Sequence, residues 1–133
     1  MILLDTHVLL WWQADGARLS RRAARAIERA DTVLLSTASF WEVGLLESKG
    51  RIQLDRDPFE WARDVLRDER LMSVMLSPSA AMFAGRLTAE GFAGDPVDAM
   101  IYATAMQERV PLVTKDQRIR LFAAGRKDIE TVW

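Results

Sequence analysis

Five short apolar runs punctuate this chain, and they limit its architecture more than any other feature. They are Ile2-Leu3-Leu4, Val33-Leu34-Leu35, Leu71 to Leu76, Leu112-Val113-Thr114 and Thr131-Val132-Trp133. Continuous apolar runs of this length suit strands covered on both faces, as in a parallel sheet. Parallel strands need crossovers, and the intervening segments carry helical patterns. Ser20 to Ala30 alternates Arg with Ala and Ile at helical spacing. Thr37 to Lys49 begins at a capping-type residue and stops at Gly50. Pro58 to Arg67 has Pro at a first helical position after Asp57. Ser79 to Glu90 stops at Gly91, Asp95-Pro96 opens a helix reaching about Arg109, and Gln117 to Ala124 closes at Gly125. The alternation predicts an α/β fold with right-handed crossovers. A length of 133 residues suits one domain, residues 1–133.

Composition removes several classes. Half the residues are hydrophobic, enough for a substantial core, which excludes disorder as the default. With no Cys there is no disulfide framework, thiolate metal site or thiol catalysis. His7 is the sole His, too few for a zinc site. No apolar run reaches the roughly 18 residues that span a bilayer, and the N-terminus lacks the basic region of a signal peptide. The expectation is a cytoplasmic protein with no membrane segment. The charge, 18 basic against 19 acidic side chains, argues at first sight against a nucleic-acid partner.

The placement of particular carboxylates is more informative. Asp5 ends the first run, and Asp116 lies just past the fourth. Ligands of open α/β sheets collect at the carboxyl ends of strands near the switch in strand order, where two sequence-distant acids can meet. Glu42 sits in Ala38 to Leu46, apolar nearly all round and so expected to be buried. A carboxylate there needs a partner, either an Arg or a metal. Asp95 and Asp98 flank Pro96-Val97, and both have a plain role at a helix start, as N-cap and N3. Asp5 and Asp116 could likewise cap the helices that follow them. Taken together, an oxygen-only set favours a hard cation, Mg²⁺ or Mn²⁺. Such a site suits metal-assisted phosphodiester hydrolysis.

Four blocks then carry a resemblance. Ile2-Leu3-Leu4-Asp5-Thr6-His7-Val8-Leu9-Leu10-Trp11 resembles the opening of PIN-domain toxins of the VapC type. Ser36 to Leu46, with Trp41-Glu42-Val43, is similar to their second block. Asp95-Pro96-Val97-Asp98-Ala99-Met100-Ile101-Tyr102-Ala103-Thr104-Ala105 resembles the third, and Leu112-Val113-Thr114-Lys115-Asp116 the fourth. The blocks occur in order and span nearly the whole chain. The resemblance implies a three-layer α/β/α sandwich with a mostly parallel central sheet. It implies a metal-dependent endoribonuclease that hydrolyses RNA with a metal-activated water, restrained by a cognate VapB-type antitoxin and forming a homodimer. It places the catalytic and metal-binding quartet at Asp5, Glu42, Asp98 and Asp116. Thr114 matches the hydroxyl residue that holds the last acid or its water. Thr6 and Asp95 are further supporting candidates, the latter favoured as a cap. Relatives with this third block often carry His and Arg where this chain has Ala93 and Ala99.

Other residues have plainer expectations. Arg118 and Arg120, near Asp116, are candidate RNA contacts. Arg18, Arg21, Arg22, Arg25 and Arg29 form either a solvated face or a basic surface for RNA or antitoxin. His7 is expected to pack or hydrogen-bond at the start of the first helix. Of Trp11 and Trp12, one can be core and the other exposed, and one is a candidate antitoxin contact. Met72, Met75 and Met82 read as core filler. Two other functions compete with this reading. A phosphoryl-accepting receiver-like domain wants an Asp after a middle strand, but the third run ends Leu76-Ser77-Pro78. A non-catalytic RNA-binding or interaction module on the same fold would lack some of the four acids. Setting the quartet aside, 18 bases face four fewer than 19 acids, an excess of three positive charges that no longer opposes RNA.

Overall fold

The computed structural model describes residues 1–133. Each apolar run becomes a strand: β1 (Ile2–Leu4), β2 (Val33–Ser36), β3 (Leu71–Val74), β4 (Leu112–Val113) and β5 (Thr131–Val132). All pairings are parallel, in the order β3-β2-β1-β4-β5. The chain first builds outward from β1 through β2 to β3, then returns to place β4 on the other side of β1. The order therefore reverses between β1 and β4, where Leu4 is in register with Val113.

Seven helices cover the sheet: α1 (Thr6–Ala14), α2 (Arg21–Arg29), α3 (Thr37–Ser48), α4 (Pro58–Val65), α5 (Pro78–Leu87), α6 (Pro96–Glu108) and α7 (Gln117–Arg126). Two buried clusters fill the two faces. One joins Leu4, Val33 and Leu35 to Val8 and Leu9 of α1, Ile27 of α2, Val43 of α3 and Trp61 of α4. The other joins Leu3, Leu34 and Leu112 to Leu87 of α5, Ile101 and Tyr102 of α6 and Ile119 of α7. Alternate residues of one strand thus enter opposite cores, as the period of two requires. The result is the three-layer α/β/α sandwich, here with an entirely parallel sheet. No helix is long and apolar enough to cross a membrane.

Several local expectations need correction. The third run is a strand only to Val74, and as the edge strand β3 it leaves Met72 and Ser73 exposed. Met72, Met75 and Met82 are not core filler: they are 56%, 76% and 72% exposed. Met72 is on the uncovered edge, Met75 in the loop after it, and Met82 on the outer side of α5. The helix from Pro78 stops at Leu87 and tightens into a 3₁₀ turn, Thr88–Glu90, before Gly91 turns at φ 93°. Gly125 does not stop α7, which runs on to Arg126 and ends at Lys127 in the left-handed region. Trp11 and Trp12 do not divide between core and solvent, since both are half-buried.

Candidate metal centre

Three members of the acidic quartet, Asp5, Asp98 and Asp116, sit at helix starts where local structure would put them even without function. Asp5 follows β1 and caps α1, with Oδ1 accepting from Thr6 N at 2.7 Å. Thr114 follows β4 and donates its hydroxyl to Asp5 Oδ2 at 2.7 Å. The same Thr114 Oγ1 accepts from Asp116 N at 3.0 Å, so one hydroxyl ties the ends of the two central strands together. Asp116 caps α7, its Oδ1 accepting from Arg118 N at 2.8 Å. Asp95 and Asp98 form a reciprocal capping box at the head of α6, each backbone N–H reaching the other's carboxylate at 3.0 Å. Glu42 comes from the second turn of α3 and is buried, while its neighbour Trp41 points outward at 61% exposure.

These side chains meet. Asp5, Glu42, Asp95, Asp98 and Asp116 line one cavity of about 270 Å³ at the switch point, with His7, Trp11, Lys115 and Arg118. Arg118 Nη2 reaches Asp116 Oδ2 at 2.6 Å and Asp98 Oδ2 at 3.6 Å, and Nη1 reaches the Ala93 carbonyl at 3.4 Å. Arg120 does not line the cavity. Glu42 has no Arg partner, so the ion pair that would explain its burial is absent. Thr6 Oγ1 is buried without a hydrogen-bond partner, near enough to Glu42 to favour its ionised form yet outside bonding geometry.

The electrostatics are divided. Burial pushes the carboxyl of Asp5 above its ordinary range, against the favourable Thr114 hydroxyl. Burial raises Glu42 too, and the negative charges of Asp95 and Asp5 add to the effect. Asp98 is pushed up to about 7, again chiefly by burial, with Asp95, Asp5 and Asp116 as repelling neighbours. Asp116 moves the other way, held low by its hydrogen bonds to Arg118. Burial thus disfavours ionisation at three of the carboxylates, and a nearby cation would offset it.

A hard divalent cation fits this donor set: every candidate ligand is an oxygen, and an orphaned hydroxyl lies alongside. No three of the acids are drawn tightly enough to enclose one ion as they stand. Arg118 is the internal counter-ion of the cluster, and binding would require its release from Asp116.

Sequence reasoning missed three contributors. His7 is exposed at the rim of the acid cavity rather than packed, with its ring 6.0 Å from that of Trp11. Its place two residues after a strand-end acid was the available signal. Lys115, between Thr114 and Asp116, also lines the cavity. Gly94 lies against Asp98 so closely that a Cβ there would stand 2.8 Å from Asp98 Cβ and 2.5 Å from the Phe92 ring.

The PIN domain family matches residues 2–125. Ribonuclease VapC22 of Mycobacterium tuberculosis (strain ATCC 25618 / H37Rv) is 40% identical over 132 residues, covering 99% of this chain and 98% of that one. The fold is similar to VapBC2 from Rickettsia felis, solved bound to a DNA fragment from its promoter. There the TM-score is 0.69 at 17% identity, over 98% of this chain and 97% of that one. It is also similar to a toxin–antitoxin complex from Klebsiella pneumoniae, with a TM-score of 0.65 at 22% identity, over 97% and 95% of the two chains. Strand order, the acids gathered at the β1–β4 switch and a match over nearly the whole length agree: the chain belongs to the PIN domain family.

Proposed function

We propose that this chain is a divalent-metal-dependent endoribonuclease and the toxin of a toxin–antitoxin pair, with residues 1–133 acting as one unit in the cytoplasm. One observation carries the reading: four acids from four separate segments line a single cavity at the switch point. The near full-length relative named a ribonuclease supports RNA as the substrate. The toxin–antitoxin complexes among the structural neighbours support a small VapB-type antitoxin as the partner. A homodimer is part of the same proposal.

Asp5, Asp98 and Asp116 are the proposed main ligands of Mg²⁺ or Mn²⁺, with Glu42 binding directly or through a water. The ion would supply charge neutralisation at the phosphate and a nucleophilic water at neutral pH. The remaining work falls to the chain itself. Thr114 fixes the Asp5 carboxylate and the backbone at Asp116. Asp95 holds Asp98 through the capping box. Thr6 offers its unused hydroxyl beside Glu42. Arg118, once it releases Asp116, is placed to grip a phosphate with two N–H groups. That assignment also accounts for the two departures. Ala99 is buried in the core, and Ala93 contributes only a carbonyl, which holds Arg118. The cation that relatives place on this helix would come here from α7.

The test is cleavage of defined RNAs by antitoxin-free protein with Mg²⁺, Mn²⁺ or chelator, beside Asp5→Asn. Asparagine keeps an oxygen to cap α1 but loses the charge. Cleavage should disappear while the circular dichroism spectrum stays native. Metal-dependent cleavage that survives in Asp5→Asn removes the reading.

A further inference from the structure

A second cavity, about 700 Å³, adjoins the acid cluster and shares His7 and Trp11 with it. It lies between α1 and the segment leading into α4, and its walls include Arg18, Arg51 and Arg56. Arg56 is tied to Asp55 and Asp64. Arg18 and Arg51 have no carboxylate within ion-pair distance, and neither has Lys115 on the acid side. Arg18 and Arg51 in this cavity and Lys115 in the adjoining one thus flank the passage between the two with their charges unneutralised.

Trp11 organises two of them. The Arg18 guanidinium lies 5.9 Å from the Trp11 ring centroid and the Lys115 ammonium 5.6 Å, both within cation–π range. The ring is braced by Trp133 at 5.9 Å. A cation held on an aromatic face keeps its N–H donors free, whereas one held by a carboxylate has spent them. Arg51 lines the same cavity as Arg18 and stands outside the lining of the acid cluster.

We infer that this cavity seats the RNA strand flanking the scissile phosphate, with Trp11 positioning Arg18 and Lys115 as phosphate contacts and Arg51 extending the track. The inference rests on the ribonuclease reading and specifies the substrate path of that site. Two features favour a polyanionic strand. A ligand reaching the acids from this side passes His7 and Trp11, which line both cavities, and then meets Lys115 on the acid side. The unpaired cations then complement a phosphate backbone, whose recognition is independent of base sequence.

The test is binding of a fluorescein-labelled single-stranded oligoribonucleotide to the full chain in chelator, by anisotropy across a salt series, so that no cleavage is needed. Arg18→Gln with Arg51→Gln should raise Kd about tenfold at low salt and flatten the log–log salt slope by about 1.4, two lost phosphate contacts at roughly 0.7 each. Trp11→Ala should raise Kd as well, and Trp11→Phe should recover most of it by restoring an aromatic face. Arg86→Gln, exposed on α5 in the opposite layer, should change neither quantity. If the double variant keeps wild-type Kd and slope, the path is wrong, whether or not Trp11→Ala folds. Wild-type cleavage, scored separately, then still decides the nuclease reading. Unchanged RNA binding with weakened binding of the antitoxin also overturns the inference and gives the cavity to a protein partner. Absence of any wild-type RNA binding overturns it too.

Discussion

At Asp98 two demands meet in one carboxylate. Its Oδ2 accepts the Asp95 N–H and closes the capping box, yet burial lifts its pKa to about 7. In the metal-free protein the folded state therefore keeps a proton that the unfolded state, near 3.8, has already released. Stability contributed by this group is full below about pH 4 and falls as pH rises through about 7. An amide cannot ionise but can still accept the N–H bond. Asp98→Asn should therefore be close to neutral near pH 4 and stabilise the metal-free protein by about 1–2 kcal/mol near pH 8. That figure is well below the full shift because Arg118 and solvent screen the charge. Urea midpoints in chelator at several pH values measure this, and a pH-independent gap between the two proteins contradicts it. Asp98 was legible in the sequence only as a cap or as part of a resemblance. Spacing made both roles available, and the structure shows that one residue occupies both positions. Glu42 was legible as a charge in an apolar helix that demands a partner, Arg or metal, and the structure shows that no Arg supplies one.

Elements announce their starts better than their stops. Asp57, Asp95 and Asp116 cap the helices that follow them, while Ser36 and Ser77 take the caps just ahead of the starts expected at Thr37 and Ser79. The stops depend on what lies beyond: α7 continues through Gly125 because glycine permits a turn without imposing one. Met72 and Met75, around β3, are exposed for a similar reason. Which strand becomes the edge is a property of the sheet order, invisible in a local run of apolar residues. The loop before α6 carries a requirement that no local pattern displays. Gly94 packs against Phe92, itself buried among Tyr102 and Phe122, so the ring has little room to yield to a new methyl. Gly94→Ala should cost about 1–3 kcal/mol by overpacking. It should also reduce cleavage by more than the loss of folded protein explains, because Asp98 is the other neighbour that must move. Activity per folded molecule, corrected by a thermal melt, separates the two effects, and a variant whose activity tracks its folded fraction refutes the second.

Across the whole molecule, the formal charge of −1 conceals a separation. Acids from the ends of β1 and β4, the second turn of α3 and the head of α6 gather at the carboxyl ends of the central strands, while unpaired cations line the adjoining passage. Apolar runs and helix caps specify the layers, but not the order β3-β2-β1-β4-β5 that brings Asp5 beside Thr114. That order follows from long-range packing, which is why four matching blocks were needed to place the site from sequence. The gathering has a thermodynamic consequence. Buried carboxylates that resist ionisation without a cation should ionise readily with one, so metal binding must be coupled to proton release and to stability. At about 100 times its dissociation constant, an ion binding the folded state alone adds about 2.7 kcal/mol. For a chain of this length that corresponds to a rise in Tm of roughly 10 °C. The rise should be large near pH 8, where Asp98 has released its proton, and should shrink toward pH 5, where it retains it. Chelator should return the protein to its metal-free melting curve. Asp5→Asn, which keeps the helix cap but removes a proposed ligand charge, should lose most of the increment. Scanning calorimetry with Mn²⁺ at two pH values measures all of this. An equal rise in the wild type and in Asp5→Asn would place the ion somewhere other than the acid cavity.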